Sequence, residues 1–128
     1  MTDIPMKTPA AFKALPPLTP AVFHILLALV ETERHGYGIM REVETSTGGV
    51  LVLGPGTLYG TLKRLLSAGF VEEAEERADV EAGMERRRYY RLTPAGRHAA
   101  VEEARRLECL VNSARAARLL SPSPEVRA

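Results

Sequence analysis

The sequence predicts a mainly α fold with a small β-hairpin. Three observations carry that expectation. Apolar residues recur at helical spacing around Leu18 to Leu29, Ile39 to Val43, Leu58 to Leu66 and Ala100 to Ala117. Two β-prone runs, Phe70 to Arg77 and Arg86 to Thr93, flank the polar stretch Ala78 to Glu85. Proline marks both ends, at Pro5, Pro9, Pro16 and Pro17 and again in Ser121-Pro122-Ser123-Pro124, and proline has no amide to donate inside a helix. Residues 1–17 are therefore read as an irregular arm and residues 121–128 as a disordered tail.

The elements follow in order. Thr19 is a good N-cap and Pro20 suits a first helical position, so the first helix is expected from Pro20 to about Thr32. His35-Gly36-Tyr37-Gly38 breaks the chain, and Ile39, Met40 and Val43 then define a second short helix ending near Ser46-Thr47-Gly48-Gly49. Val50 to Leu53 reads as a short strand or an extended link. Gly54-Pro55-Gly56-Thr57 opens a third helix with Leu58, Leu62, Leu65 and Leu66 inward and Thr57, Gly60, Lys63, Arg64 and Ser67 outward. Gly69 stops it. The two β-prone runs form a hairpin with a loose tip. Thr93-Pro94 caps a last helix running to about Leu120.

Helix, helix, helix, hairpin, helix is the order of a winged helix-turn-helix (residues 18–93) followed by a C-terminal dimerisation helix (residues 94–120). In that layout the third helix offers its outer face to a DNA major groove, which is wide enough to admit it. Thr57 can donate to a phosphate, Lys63 and Arg64 can reach phosphate or base acceptors, Gly60 leaves room for close approach, and Tyr59 lies at the flank. Arg86, Arg87 and Arg88 concentrate positive charge on the second strand. The first strand carries Glu72, Glu73, Glu75 and Glu76, so some arginines are expected to form cross-strand ion pairs while one or two near the tip reach DNA. In the last helix, Ala100, Ala104, Leu107, Val111 and Ala114 alternate steps of 4 and 3, with Leu110 beside them. One helix cannot hide that stripe, and the first helix of a second copy, through Val22 and Leu26, could.

Composition bounds the alternatives. The chain has 128 residues, room for one domain with a helical appendage. Its 17 basic and 16 acidic residues give a net charge of +1, so only local charge can speak for nucleic acid, and a winged helix serving protein–protein contact alone is the alternative. One cysteine, Cys109, excludes an intrachain disulfide and a Cys-rich metal site. No HxxxH pair, Walker loop or nucleophile elbow is present, so no catalytic residue, cofactor or metal is expected; a metal response through His24, His98 or Cys109 has little behind it. The apolar run Ala21 to Val30 is too short to span a bilayer, and no secretory h-region is seen, so no membrane contact and a cytoplasmic location are expected.

Several stretches also resemble the PadR family of bacterial transcriptional regulators. They are Leu18-Thr19-Pro20 through His35-Gly36-Tyr37-Gly38, then Gly56-Thr57-Leu58-Tyr59, Gly69-Phe70-Val71, and Arg88-Tyr89-Tyr90-Arg91-Leu92-Thr93-Pro94-Ala95-Gly96. The resemblance implies a homodimeric winged-helix repressor, with Gly56 to Tyr59 opening the DNA-reading helix and Tyr37 near the DNA backbone. It implies a last helix packed across the dimer, in the shorter, single-helix subgroup, and a small-molecule effector of unknown identity. Gly60 stands where many members carry proline, and the absence of Trp removes the aromatic drug pocket of some short members. An effector pocket is expected between first and last helices, near Phe12, Leu15, Phe23 and Leu107.

Overall fold

The computed structural model describes residues 16–75, 77–79 and 85–122. The expected arm through residue 15, the hairpin tip at residues 80–84 and the tail from residue 123 lie outside them, as do Phe12 and Leu15. Among the described residues there are four helices: α1 (Pro20–Val30), α2 (Gly36–Ser46), α3 (Pro55–Ala68) and α4 (Pro94–Ala116). The strands are β1 (Arg34–His35), β2 (Val71–Glu73), β3 (Arg77–Asp79), β4 (Glu85–Arg87) and β5 (Tyr89–Leu92). Mostly helical, with a three-stranded antiparallel sheet in the order β1-β5-β2, the chain has the fold the sequence predicts.

Local chemistry sets the boundaries. The Thr19 hydroxyl accepts the Val22 amide at 3.2 Å, starting α1 ahead of Pro20. Gly69 ends α3 in the left-handed conformation at φ 80°, which costs glycine no Cβ clash, and its amide and that of Phe70 return to Leu66 and Leu65. Thr93 joins two elements: its hydroxyl accepts the Gly96 amide at 3.0 Å and donates to the Gly69 carbonyl at 2.6 Å. The start of α4 is thereby fixed to the end of α3.

Four expectations are corrected. The break at His35 to Gly38 is no break, because the His35 Nδ1 accepts the Gly38 amide at 3.0 Å and α2 starts at Gly36. Arg34 and His35 form β1, pairing with Tyr90 and Tyr89 of β5. The hairpin is divided: Val71, Glu72 and Glu73 pair with Leu92, Arg91 and Tyr90, whereas β3 and β4 form a separate two-stranded sheet. Helices α1 and α4 stop at Val30 and Ala116, short of Thr32 and Leu120. Between α2 and α3 the chain from Val50 to Leu53 is a link without strand pairing.

The core lies where α1, α2, α3 and the sheet meet. Ile25, Leu26, Ile39, Leu58, Leu62 and Val43 are its largest fully enclosed side chains. Tyr90 and Val71 close it from the sheet, and Ala99 and Ala100 from α4. Burying each large aliphatic side chain contributes about 1.5–3 kcal/mol.

Among the described residues one charged side chain is buried, Glu103 of α4. Its carboxylate accepts the Leu18 amide at 3.0 Å and two guanidinium donors of Arg106, one of them at 3.2 Å. The Arg106 hydrogen bonds first, and the Leu18 amide second, hold its pKa below the ordinary glutamate value. A depressed folded-state pKa stabilises the fold above the unfolded-state value, and that contribution is lost as pH falls through the folded one. Glu103→Ala is expected to destabilise by about 1–3 kcal/mol at neutral pH in denaturant titrations. The difference from wild type should shrink as the pH drops below the ordinary glutamate pKa.

Candidate nucleic-acid interface

A helix turns 100° per residue, so burying Leu58, Leu62 and Leu65 of α3 dictates which residues face outward. Thr57, Gly60, Lys63, Arg64 and Ser67 are all exposed. The inner face differs from expectation in one residue: Thr61 is buried at 3% exposure, and Leu66 only half-buried. Thr61 was legible as polar alone, yet its small side chain sits at the margin of the inward arc, next to Leu65. Its hydroxyl accepts from Arg64 at 3.4 Å. Around Gly60 there is open space where a Cβ would stand.

The first turns of α3 and α2 come together through a glycine. Gly36 is buried, and a Cβ there would collide with the hydroxyl and ring of Tyr59. Tyr59 therefore lies across the start of α2 while remaining about half exposed. Next along α2 is Tyr37, also about half exposed. Its ring is stacked near that of His35, with centroids 6.4 Å apart. The Arg41 guanidinium lies 5.6 Å from the Tyr37 centroid and that of Arg87, on β4, lies 5.9 Å away. The Arg87 contact was not visible in the sequence, because Arg87 is fifty positions from Tyr37.

The arginines of the hairpin sort differently from one another. Arg88 faces Glu73 at 3.6 Å, with both side chains roughly half exposed. Arg91 bridges Glu72 at 2.7 Å and Glu33 at 3.4 Å. The pairs with Glu73 and Glu72 are of the cross-strand kind expected of the acidic first strand, whereas Glu33 precedes β1. Arg87 reaches the α2 aromatic ring. Arg86 lies on β4, and its side chain is outside the described residues. Behind these residues, burial first, then Glu73 and Tyr59, pushes the Tyr90 phenol above its ordinary pKa.

The residues expected at an interface between copies divide into two groups. Leu26 is fully enclosed and Ala100 nearly so within the protomer, and Val22 is half-buried against the same core. Leu26 and Ala100 have no surface left to offer, since the close approach of α1 and α4 already covers them. Ala104, Leu110 and Val111 are exposed, and Leu107 and Ala114 are half-buried. Leu27 of α1 and Val101 of α4, absent from the expected set, are exposed as well. Among the described residues, no group of three or more His, Cys, Asp or Glu side chains could hold a metal ion, and no helix is long and apolar enough to cross a membrane.

Comparison with known proteins converges. A model of the transcriptional regulator PadR-like family matches residues 25–102. The chain is 42% identical over 85 residues to the transcriptional regulator Rv3488 of Mycobacterium tuberculosis, covering 66% of this chain and 73% of that protein. Among solved structures, a transcriptional regulator from Clostridium thermocellum is similar with a TM-score of 0.60 and 26% identity, over 72% of this chain and 84% of the other. PadR of Bacillus subtilis, solved in complex with operator DNA, is similar in fold with a TM-score of 0.54 and 23% identity. That match covers 67% of this chain and 47% of that protein.

The Gly36–Tyr59 crossing makes a coupled prediction. Gly36→Ala is expected to bring no net gain in the wild-type background, because Tyr59 must swing off α2. In a Tyr59→Ala background the same change should recover part of the ~1 kcal/mol by which alanine exceeds glycine in a helix. A double-mutant cycle by thermal or denaturant unfolding measures the difference.

Proposed function

The chain belongs to the PadR-like family of transcriptional regulators, and from that premise we propose that it is a homodimeric, sequence-specific DNA-binding repressor responsive to a small molecule. The observation that carries the reading is the two-sidedness of α3. Its leucines anchor it, and Thr57, Gly60, Lys63, Arg64 and Ser67 form an exposed, cation-bearing face. Such a face can enter a major groove, with Lys63 and Arg64 donating to phosphate or to guanine acceptors and Thr57 to a phosphate. Tyr37 and Tyr59 flank this helix, where their hydroxyls can meet the DNA backbone. Arg87 reaches the same side from the wing. Arg88 belongs to a second tier, since a phosphate must compete with Glu73 for it.

The pairing of copies is supported by α4. Beyond Glu103 this helix buries no residue in the protomer, yet it carries Leu107, Leu110, Val111 and Ala114. A second copy of α1 and α4 would cover them, with the exposed Leu27 available at the same contact. Two copies of α3 would then enter successive major grooves about 34–36 Å apart, which requires an approximately palindromic operator. An effector between the copies would act by favouring one spacing of the two helices over another.

Capture of genomic fragments at moderate salt, followed by sequencing, tests the reading directly. A recurrent near-palindromic site is expected; capture without sequence enrichment would refute specificity. Lys63→Ala is expected to weaken all duplexes equally where it meets phosphate, or to relax one operator position by about 1–3 kcal/mol where it reads a base. Unchanged gel shifts for both Lys63→Ala and Arg64→Ala would exclude α3 as the reading helix. Leu110→Glu is expected to yield monomers in sedimentation and to abolish operator binding together.

A further inference from the structure

Among the described residues two polar side chains are buried, and one of them is Thr61 of α3. A hydroxyl taken out of water is costly to the fold unless it finds a hydrogen-bond partner. The Thr61 Oγ1 accepts from Nη2 of Arg64, one turn further along the same helix, at 3.4 Å. The bond joins a side chain enclosed at 3% exposure to one that stands in solvent. Threonine is branched at Cβ and this one is packed, so its hydroxyl stays in place and the arginine comes to it.

The partner is neutral, and that matters. Arg34, Arg88, Arg91, Arg105 and Arg106 each face a carboxylate, which competes with any incoming acceptor. The Thr61 hydroxyl orients a guanidinium without offsetting its charge, and it takes one of five N–H donors. The bond also has a direction. Side chains on a helix lean toward its N-terminus, so Arg64 reaching back to Thr61 carries its guanidinium toward the opening turns of α3. The exposed Thr57 lies four residues before Thr61 on the same stripe. In a helix-turn-helix the N-terminal part of the reading helix is the part that meets base edges. A planar fork held in one place suits the paired N7 and O6 acceptors of guanine, because less freedom is lost on binding.

We propose that Thr61 is a positioning residue for base recognition: its enclosed hydroxyl holds the Arg64 guanidinium toward the opening turns of α3, where it reads a guanine edge in the major groove. The inference rests on the DNA-binding reading above and deepens it. It assigns Arg64 to a base where that reading allowed phosphate or base, and it gives the buried hydroxyl of α3 a task.

The test selects duplexes from a pool of randomised sequence with the full chain and compares base preferences among variants at one salt concentration. The wild type should enrich a guanine at a position where Arg64→Ala loses the preference. Thr61→Val keeps the shape and removes the hydroxyl; it is expected to cut the preference at that same position about two- to tenfold and to leave the other positions alone. Thr61→Ala, smaller than the side chain it replaces, is a second hydroxyl-free variant that should follow Thr61→Val. Thr61→Ser keeps a hydroxyl and should keep the preference. In the Arg64→Ala background, Thr61→Val should have no further effect on base preference. A purely structural threonine would shift the melting temperature and leave the preference unmoved. A guanine preference unchanged in both hydroxyl-free variants, or no guanine position lost in Arg64→Ala, would overturn the positioning role and leave the DNA reading intact. A wild-type chain that enriches no sequence from the pool would overturn both.

Discussion

A helix can present one side to a partner only while its other side is held. Here the holding is done by Leu58 and Leu62, which are 0% and 1% exposed, and by Leu65 at 5%. They meet Ile25 and Leu29 of α1 and Ile39 and Val43 of α2 in a single core. The outward direction of Thr57, Gly60, Arg64 and Ser67 is then a consequence of helical geometry and requires no further stabilisation. Polar substitution on that face leaves the core untouched, so under the proposed reading the face is free to vary with the DNA sequence. Substitution at Leu58 or Leu62 removes fold and interface together.

The same anchoring explains why the wing is built in two pieces. Strand β5 is tied on both sides, to β1 and to β2, and it sends Tyr90 into the core. Its flanking ion pairs, Arg91 with Glu72 and Glu33, are exposed and lock register more than they stabilise. Beyond Arg88 the register shifts by one residue, and β3 and β4 continue the same two strands as a separate sheet. The wing therefore has a root tied into the core and a blade that extends past it. Under the proposed DNA reading, cations on the blade can follow a backbone without disturbing the core.

Much of this was legible in the sequence, and what was missed has physical reasons. The four helices announced themselves through apolar spacing and through Thr19, Pro20, Gly69 and Thr93, whose capping chemistry is local. Strand β1 was invisible because two residues carry no periodicity and because His35-Gly36-Tyr37-Gly38 reads as punctuation. Only the fold reveals that the His35 imidazole supplies the cap a serine or aspartate would usually provide. Leu26 reads from the sequence as a contact between copies because a stripe pattern cannot say which neighbour covers it; in the structure it is enclosed within its own chain, where α1 packs against α4. Arg87 and Arg88 are adjacent and chemically identical, and that Arg87 reaches the Tyr37 ring while Arg88 faces Glu73 depends on register across the hairpin. Arg41 gave no signal at all, since one arginine on an exposed helical face is ordinary.

Glu103 divides α4 into two halves with different obligations. Before it, Gly96, Ala99 and Ala100 are small enough to let the helix lie close to the body. At Glu103, the buried carboxylate takes the Leu18 amide, joining the segment that leads into α1 to α4. After it, the helix runs on with no buried residue, so the remaining thirteen positions extend about 20 Å at 1.5 Å each. A lever of that length is rooted against α1, whose Ile25 and Leu29 share the core with Leu58 and Leu62 of α3, and carries a displacement of its far end back to that root. Under the proposed pairing, a ligand that altered the packing around Leu110 and Val111 would act through α4 and α1 on the direction of α3. The DNA-reading face need not be touched for its spacing to change, which is the coupling a ligand-responsive regulator requires.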